Sequence, residues 1–75
     1  MRLKAGINVA EFLRLVESCR ADVYLETEED SLNLKSALSQ YVFVVIEENE
    51  DIFSKARVIC RTDEDYEILA AYLEA

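Results

Sequence analysis

Two alternating apolar segments near the middle of the chain constrain its fold more than any other feature. In "ADVYLET", Val23 and Leu25 fall on one side of an extended backbone, with Asp22, Tyr24 and Glu26 on the other. In "SLNLK", Leu32 and Leu34 alternate in the same way. The link "EEDS" is too short for a crossover, so the two segments predict an antiparallel hairpin. A hairpin in a chain that also carries helical patterns points away from an all-parallel sheet with helices on both faces.

The flanking sequence supplies the helices. Asn8 is a favoured N-cap, and Glu11 stands where a capping box places an acid. Val9, Phe12, Leu13, Val16 and Cys19 then recur at steps of three and four, which predicts a helix from Val9 to about Cys19. Before it, "MRLKAGI" predicts a short strand with Leu3, Ala5 and Ile7 on one face. After the hairpin, Leu38, Tyr41, Val42 and Val45 keep a helical period, and a helix is expected from Ala37 to about Val44. The apolar run "YVFVVI" is also rich in β-branched residues, so residues 41–46 read as either helix or strand by period alone. "EENEDIFS" is expected to be a loop. "KARVICR" alternates Ala56, Val58 and Cys60 against Arg57, Ile59 and Arg61, as a strand does. Thr62 caps a last helix whose early acids suit the positive end of the helix dipole, with Ile68, Leu69 and Tyr72 as its buried stripe.

The expected order is strand, helix, strand, strand, helix, strand, helix. At 75 residues the chain has room for one small domain, residues 1–75, with a thin core. Hydrophobic residues make up 52% of it, enough to expect a globular fold rather than disorder.

Charge and cysteine usage narrow the function classes. The net charge of −8 repels a phosphate backbone, so direct nucleic-acid binding is not expected. The acid runs read as solvated turns and helix starts. Cys19 and Cys60 stand far apart with no CxxC pair, which fits neither a disulfide framework nor a zinc site. Both are expected to pack in the core, in a reduced, cytoplasmic setting. No apolar run reaches the ~20 residues of a membrane span, and no signal peptide is recognised. Neither a metal nor a cofactor is expected. With no histidine, no glycine-rich phosphate loop and no nucleophile–base pair, the chain does not read as an enzyme.

The stretch "DVYLETEEDSLNLKSAL", Asp22 to Leu38, resembles HPr, the small phosphocarrier of the bacterial sugar phosphotransferase system. The resemblance rests on a strand pair leading into Asn33, Leu34, Lys35 and Ser36, then a short helix. It also draws on the spacing of the first helix and, more loosely, on "DEDYEILAAYL". It implies an α+β, HPr-like open-faced β-sandwich of order βαββαβα. That fold has a mostly antiparallel four-stranded sheet with helices on one face. HPr carries phosphate on a histidine before the first helix. Here that position matches Ala5 without gaps, or Asn8 if a short deletion is allowed, and neither side chain accepts a phosphoryl group. The resemblance is therefore to a histidine-less relative, similar to catabolite-repression HPr.

That relative implies a second chemistry. A serine kinase phosphorylates the serine matching Ser36, and the product binds a transcription regulator. The expectation is a non-enzymatic regulatory protein of the phosphotransferase system switched by phosphate on Ser36, with Lys35, Leu38, Tyr41, Val42 and Phe43 as partner-binding residues. A phosphate on Ser36 would lie at a helix N-terminus, where unpaired N–H groups and the dipole favour it. Two features depart from the HPr pattern: Ser39 stands where a glycine is usual, and "EENEDIFSK" replaces a tight turn. The plainer alternative for Ser36 is a helix cap. For the chain as a whole it is a divergent HPr-fold interaction module without phosphotransfer, dimerising through its apolar run.

Overall fold

The computed structural model describes every residue from Met1 to Ala75. The first strand, β1, is shorter than the pattern predicts and covers only Arg2–Leu3. Ala5 and Gly6 form a turn instead, with Gly6 at φ 71°, a left-handed conformation that costs glycine little. Helix α1 follows as Val9–Ser18, with Asn8 Oδ1 accepting from the Glu11 N–H at 3.1 Å. Only half of the capping box forms, because the Glu11 carboxylate is turned away to accept from the Tyr72 hydroxyl at 3.0 Å.

The hairpin is as expected. Strands β2 (Val23–Glu26) and β3 (Ser31–Asn33) pair antiparallel, with Leu25 opposite Leu32. Thr27 closes the turn, its backbone N–H donating to the Asp30 carbonyl and its hydroxyl accepting from the Asp30 N–H. The ambiguous apolar run resolves as helix. Helix α2 spans Ala37–Glu47, longer than the expected stop near Val44.

"EENEDIFS" is not a loop. It forms a short helix, α3 (Glu50–Lys55), capped by Asn49, whose side chain accepts from the N–H groups of Asp51 and Ile52. The reason is local: an N-cap, two acids in the first turn and a lysine in the last turn all favour a helix. Phe53 then anchors it against Phe43, with ring centroids 6.4 Å apart. Strand β4 (Arg57–Cys60) has the predicted alternation, and Thr62 caps α4 (Asp63–Leu69) by accepting from the Asp65 N–H. The last helix does not run on through Tyr72. A 3-10 turn, Ala70–Tyr72, leads into a further strand, β5 (Leu73–Glu74). Ile68, expected in the buried stripe, is exposed, and Asp65 is buried in its place.

The sheet therefore has five strands rather than four, in the order β3-β2-β4-β1-β5, and every neighbouring pair is antiparallel. Its two faces differ. Leu3, Val23, Leu25, Val58, Cys60 and Leu73 are buried with Phe12, Val16, Phe43 and Leu69 from the helices in one core. The alternate positions Arg2, Glu26, Arg57 and Glu74 are exposed, and Tyr24 and Ile59 are half-buried. The result is an α+β domain with an open antiparallel sheet. No helix is long and apolar enough to cross a membrane.

Candidate functional site

Ser36 stands where β3 gives way to α2. Its backbone is extended (φ −81°, ψ 132°) and its carbonyl accepts the first helical bond, from the Gln40 N–H at 2.9 Å. It is an N-cap by position only, since its side chain makes no capping hydrogen bond. Neighbouring groups hold the corner instead. Asn33 Oδ1 accepts from the Lys35 N–H at 3.0 Å, and Gln40 Nε2 donates to the Leu34 carbonyl at 2.9 Å. Leu34 is fully buried beneath this corner. The Ser36 side chain is exposed and has no structural partner, while the turn around it is fixed.

Lys35 is placed differently from the expectation. It is half-buried, and its ammonium donates to the Cys19 carbonyl at the end of α1. Lys35 therefore ties β3 to α1 and is not a free cation beside Ser36. Phe43 also leaves the partner-binding set. It is fully buried, with its ring 5.7 Å from that of Phe12, because α2 needs one deep anchor in the core. Val42 is half-buried.

Leu38 and Tyr41 remain, and they are the most exposed large hydrophobic residues in the chain, at 74% and 71%. Val45, at 57%, continues their line one turn further. The helical period read in the sequence is thus real, but its stripe faces solvent, and Phe43 alone of α2 is fully buried. No charged residue occurs between Ala37 and Ile46, whereas Glu47, Glu48, Glu50 and Asp51 follow directly. Ile52 of α3 is also exposed, but it lies beside the β2–β3 turn with Glu28, Glu29, Asp30 and Lys55. An exposed apolar line of this kind is a candidate interaction surface.

The resemblance to HPr sets Ala5 or Asn8 at the place of a histidine. Ala5 is an exposed turn residue, and the Asn8 side chain is used as a cap. The cysteines are buried and unpaired. Burial, with the nearby Asp65 charge, pushes the Cys19 thiol up, and burial pushes Cys60 up to about 11. Both thiols therefore stay protonated at neutral pH and are poor nucleophiles. No group of three or more His, Cys, Asp or Glu side chains is arranged to hold a metal ion.

Asp65 is the residue that sequence reasoning missed. The acid run that opens α4 reads as solvated from the sequence, yet Asp65 is fully buried. Its two carboxylate oxygens accept from the Arg20 and Ala21 N–H groups at 2.9 and 3.0 Å. The Arg20 amide above all, then the Ala21 amide, the Lys35 charge and the Thr62 hydroxyl, holds its carboxyl below the usual range. Asp65 thereby pins α4 to the α1–β2 loop. The available signal was its spacing of four from Leu69, which puts it on the buried side of α4.

No family model, curated protein or solved structure matches this chain.

Proposed function

We propose that this chain is a non-enzymatic, HPr-like interaction module that docks through the outer stripe of α2 and is gated by phosphorylation of Ser36. The observation that carries the reading is the pairing of an exposed serine, unused in capping, with the exposed Leu38–Tyr41–Val45 stripe that begins two residues later. The caps at Asn8, Asn49 and Thr62 all accept a backbone N–H through the side chain, and Ser36 does not.

The order of elements also supports the HPr-like reading. Setting α3 and β5 aside leaves strand, helix, strand, strand, helix, strand, helix, with β3-β2-β4-β1 as the sheet order. The protein partners on this reading are a serine kinase and a regulator that reads the phosphorylated corner. The phosphate would take its stabilisation from the α2 N-terminus, which has no acid in its first turn to repel it. It would gain little from Lys35, whose ammonium is occupied. Ser39 and the α3 helix, which depart from the HPr pattern, stand outside the Asn33–Ser36 corner itself.

The test is intact-mass spectrometry with site mapping. The protein and Ser36→Ala are each incubated with ATP, magnesium and an HPr kinase. One phosphate on Ser36, absent from the alanine variant, is the expected result. No phosphate on the wild type, or phosphate retained by the variant, refutes the gating.

A further inference from the structure

The two thiols of the chain lie at one end of the core, and docking through α2 uses neither. Cys19 caps the C-terminal end of α1, and Cys60 is the last residue of β4. Three relations bring their segments together. Cys60 stands opposite Val23 in the β2–β4 pairing, and Val23 follows Cys19 by four residues. Asp65 joins the residues just beyond each cysteine. Its carboxylate accepts from the Arg20 N–H at 2.9 Å, and its own N–H donates to the Thr62 hydroxyl at 3.2 Å. Both cysteine side chains are buried in the same core cluster. Their electrostatics agree with this placement: after burial, Cys19 is the largest influence raising the Cys60 thiol, and Asp65 acts on both.

The Cys19 backbone is held from several sides. Its N–H donates to the Val16 carbonyl at 3.1 Å, and its own carbonyl accepts from the Lys35 ammonium. Its thiol donates to the Leu15 carbonyl at 3.5 Å, a weak bond that is lost at little cost. The pair also sits at the rim of the core. Cys60 is 7% exposed, the most of any core residue, and Cys19 is 4% exposed, whereas Val16, Val23 and Val58 are sealed. A small reagent can therefore reach this end of the core first.

We propose that Cys19 and Cys60 are a modification site, joined as an intramolecular disulfide in the folded protein by exchange with a small-molecule disulfide such as oxidised glutathione. One thiol loses its proton, and its thiolate attacks a sulfur of the reagent. A mixed disulfide forms and one reagent thiolate leaves. The second cysteine, as its thiolate, attacks the modified cysteine sulfur; the Cys19–Cys60 bond forms and the other reagent thiolate leaves. The two protons end on the reagent, which is reduced to two thiols while the protein loses two hydrogens. Burial raises both thiols, so exchange is slow at neutral pH and quickens as pH rises. The bond fastens the end of α1 to the end of β4 and closes a loop that contains β2, β3, α2 and α3.

The test incubates the reduced protein with oxidised glutathione at mildly alkaline pH, with native circular dichroism checked throughout, and follows it to equilibrium by intact-mass spectrometry. The expected product is a monomer lighter by about 2 Da, restored by dithiothreitol. Tryptic mapping without reduction should join the peptide of residues 15–20 to that of residues 58–61. Cys19→Ala and Cys60→Ala should each give no such product. A wild type that stays reduced, stops at a glutathione adduct or forms disulfide-linked dimers overturns the inference. So does a Cys19–Cys60 bond that forms in urea and not in the folded protein, because the pairing then belongs to the unfolded chain.

Discussion

Phe43 and Leu38 lie on one helix, and their substitution separates the two sides of α2. Phe43 is fully buried, between Phe12 at 5.7 Å and Phe53 at 6.4 Å between ring centroids, and it is the sole buried residue of α2. Truncating a buried phenylalanine to alanine costs ~3–5 kcal/mol, from lost transfer energy and the cavity left behind. The stability of a domain this size is roughly 4–11 kcal/mol, so Phe43→Ala removes about a quarter of it or more. Phe43→Leu keeps most of the volume and should cost roughly 1–2 kcal/mol, with a melting temperature lower by about 4–8 °C per kcal/mol. Leu38 is 74% exposed, so only about a quarter of its burial energy is at stake, ~0.5 kcal/mol. Alanine returns a tenth or two of that through helix propensity, so Leu38→Ala should change stability by less than about 0.5 kcal/mol. Urea unfolding followed by far-UV circular dichroism reads all three, as midpoint shifts at constant slope. If Leu38→Ala costs as much as Phe43→Leu, the stripe faces inward, and the docking surface built on it falls.

Capping gives a sharper contrast. Asn8→Ala should cost ~1 kcal/mol, since its side chain closes the first turn of α1, whereas Ser36→Ala should cost well under half of that, because its hydroxyl caps nothing. Equal losses in urea unfolding would contradict the free serine. Asp65 governs the acid limb. Its folded carboxyl is held below the unfolded value of about 3.9, so its contribution is complete above that pH and is lost as pH falls through the folded value. Asp65→Asn should lower stability at neutral pH and flatten its decline below about pH 4; an unchanged acid limb would show that the Arg20 and Ala21 amides do not stabilise the carboxylate.

Much of the fold was legible because it is encoded locally. The β2–β3 hairpin follows from alternation and a short link, and the starts of α1 and α4 follow from Asn8 and Thr62. Even α3 carried its signals in Asn49, Glu50, Asp51 and Lys55, and it was hidden only by the expectation of a turn there. At the candidate site, the exposed Ser36 and the Leu38–Tyr41 line were visible as residues, but their orientation was not. A helical period of apolar residues usually marks the buried side, and here it marks the exposed one. The core accepts a single anchor from α2, Phe43, whose ring packs between those of Phe12 and Phe53. Lys35 and Asp65 were misplaced for a related reason. Each is bound to backbone groups distant in sequence, Cys19 for the lysine and Arg20 and Ala21 for the carboxylate. Sequence alone determined where helices and strands begin, through caps, charges and alternation, which act over a few residues. Tertiary structure decided the fifth strand, the inward side of α2 and the partners of the buried charges, because these depend on which segments meet in space.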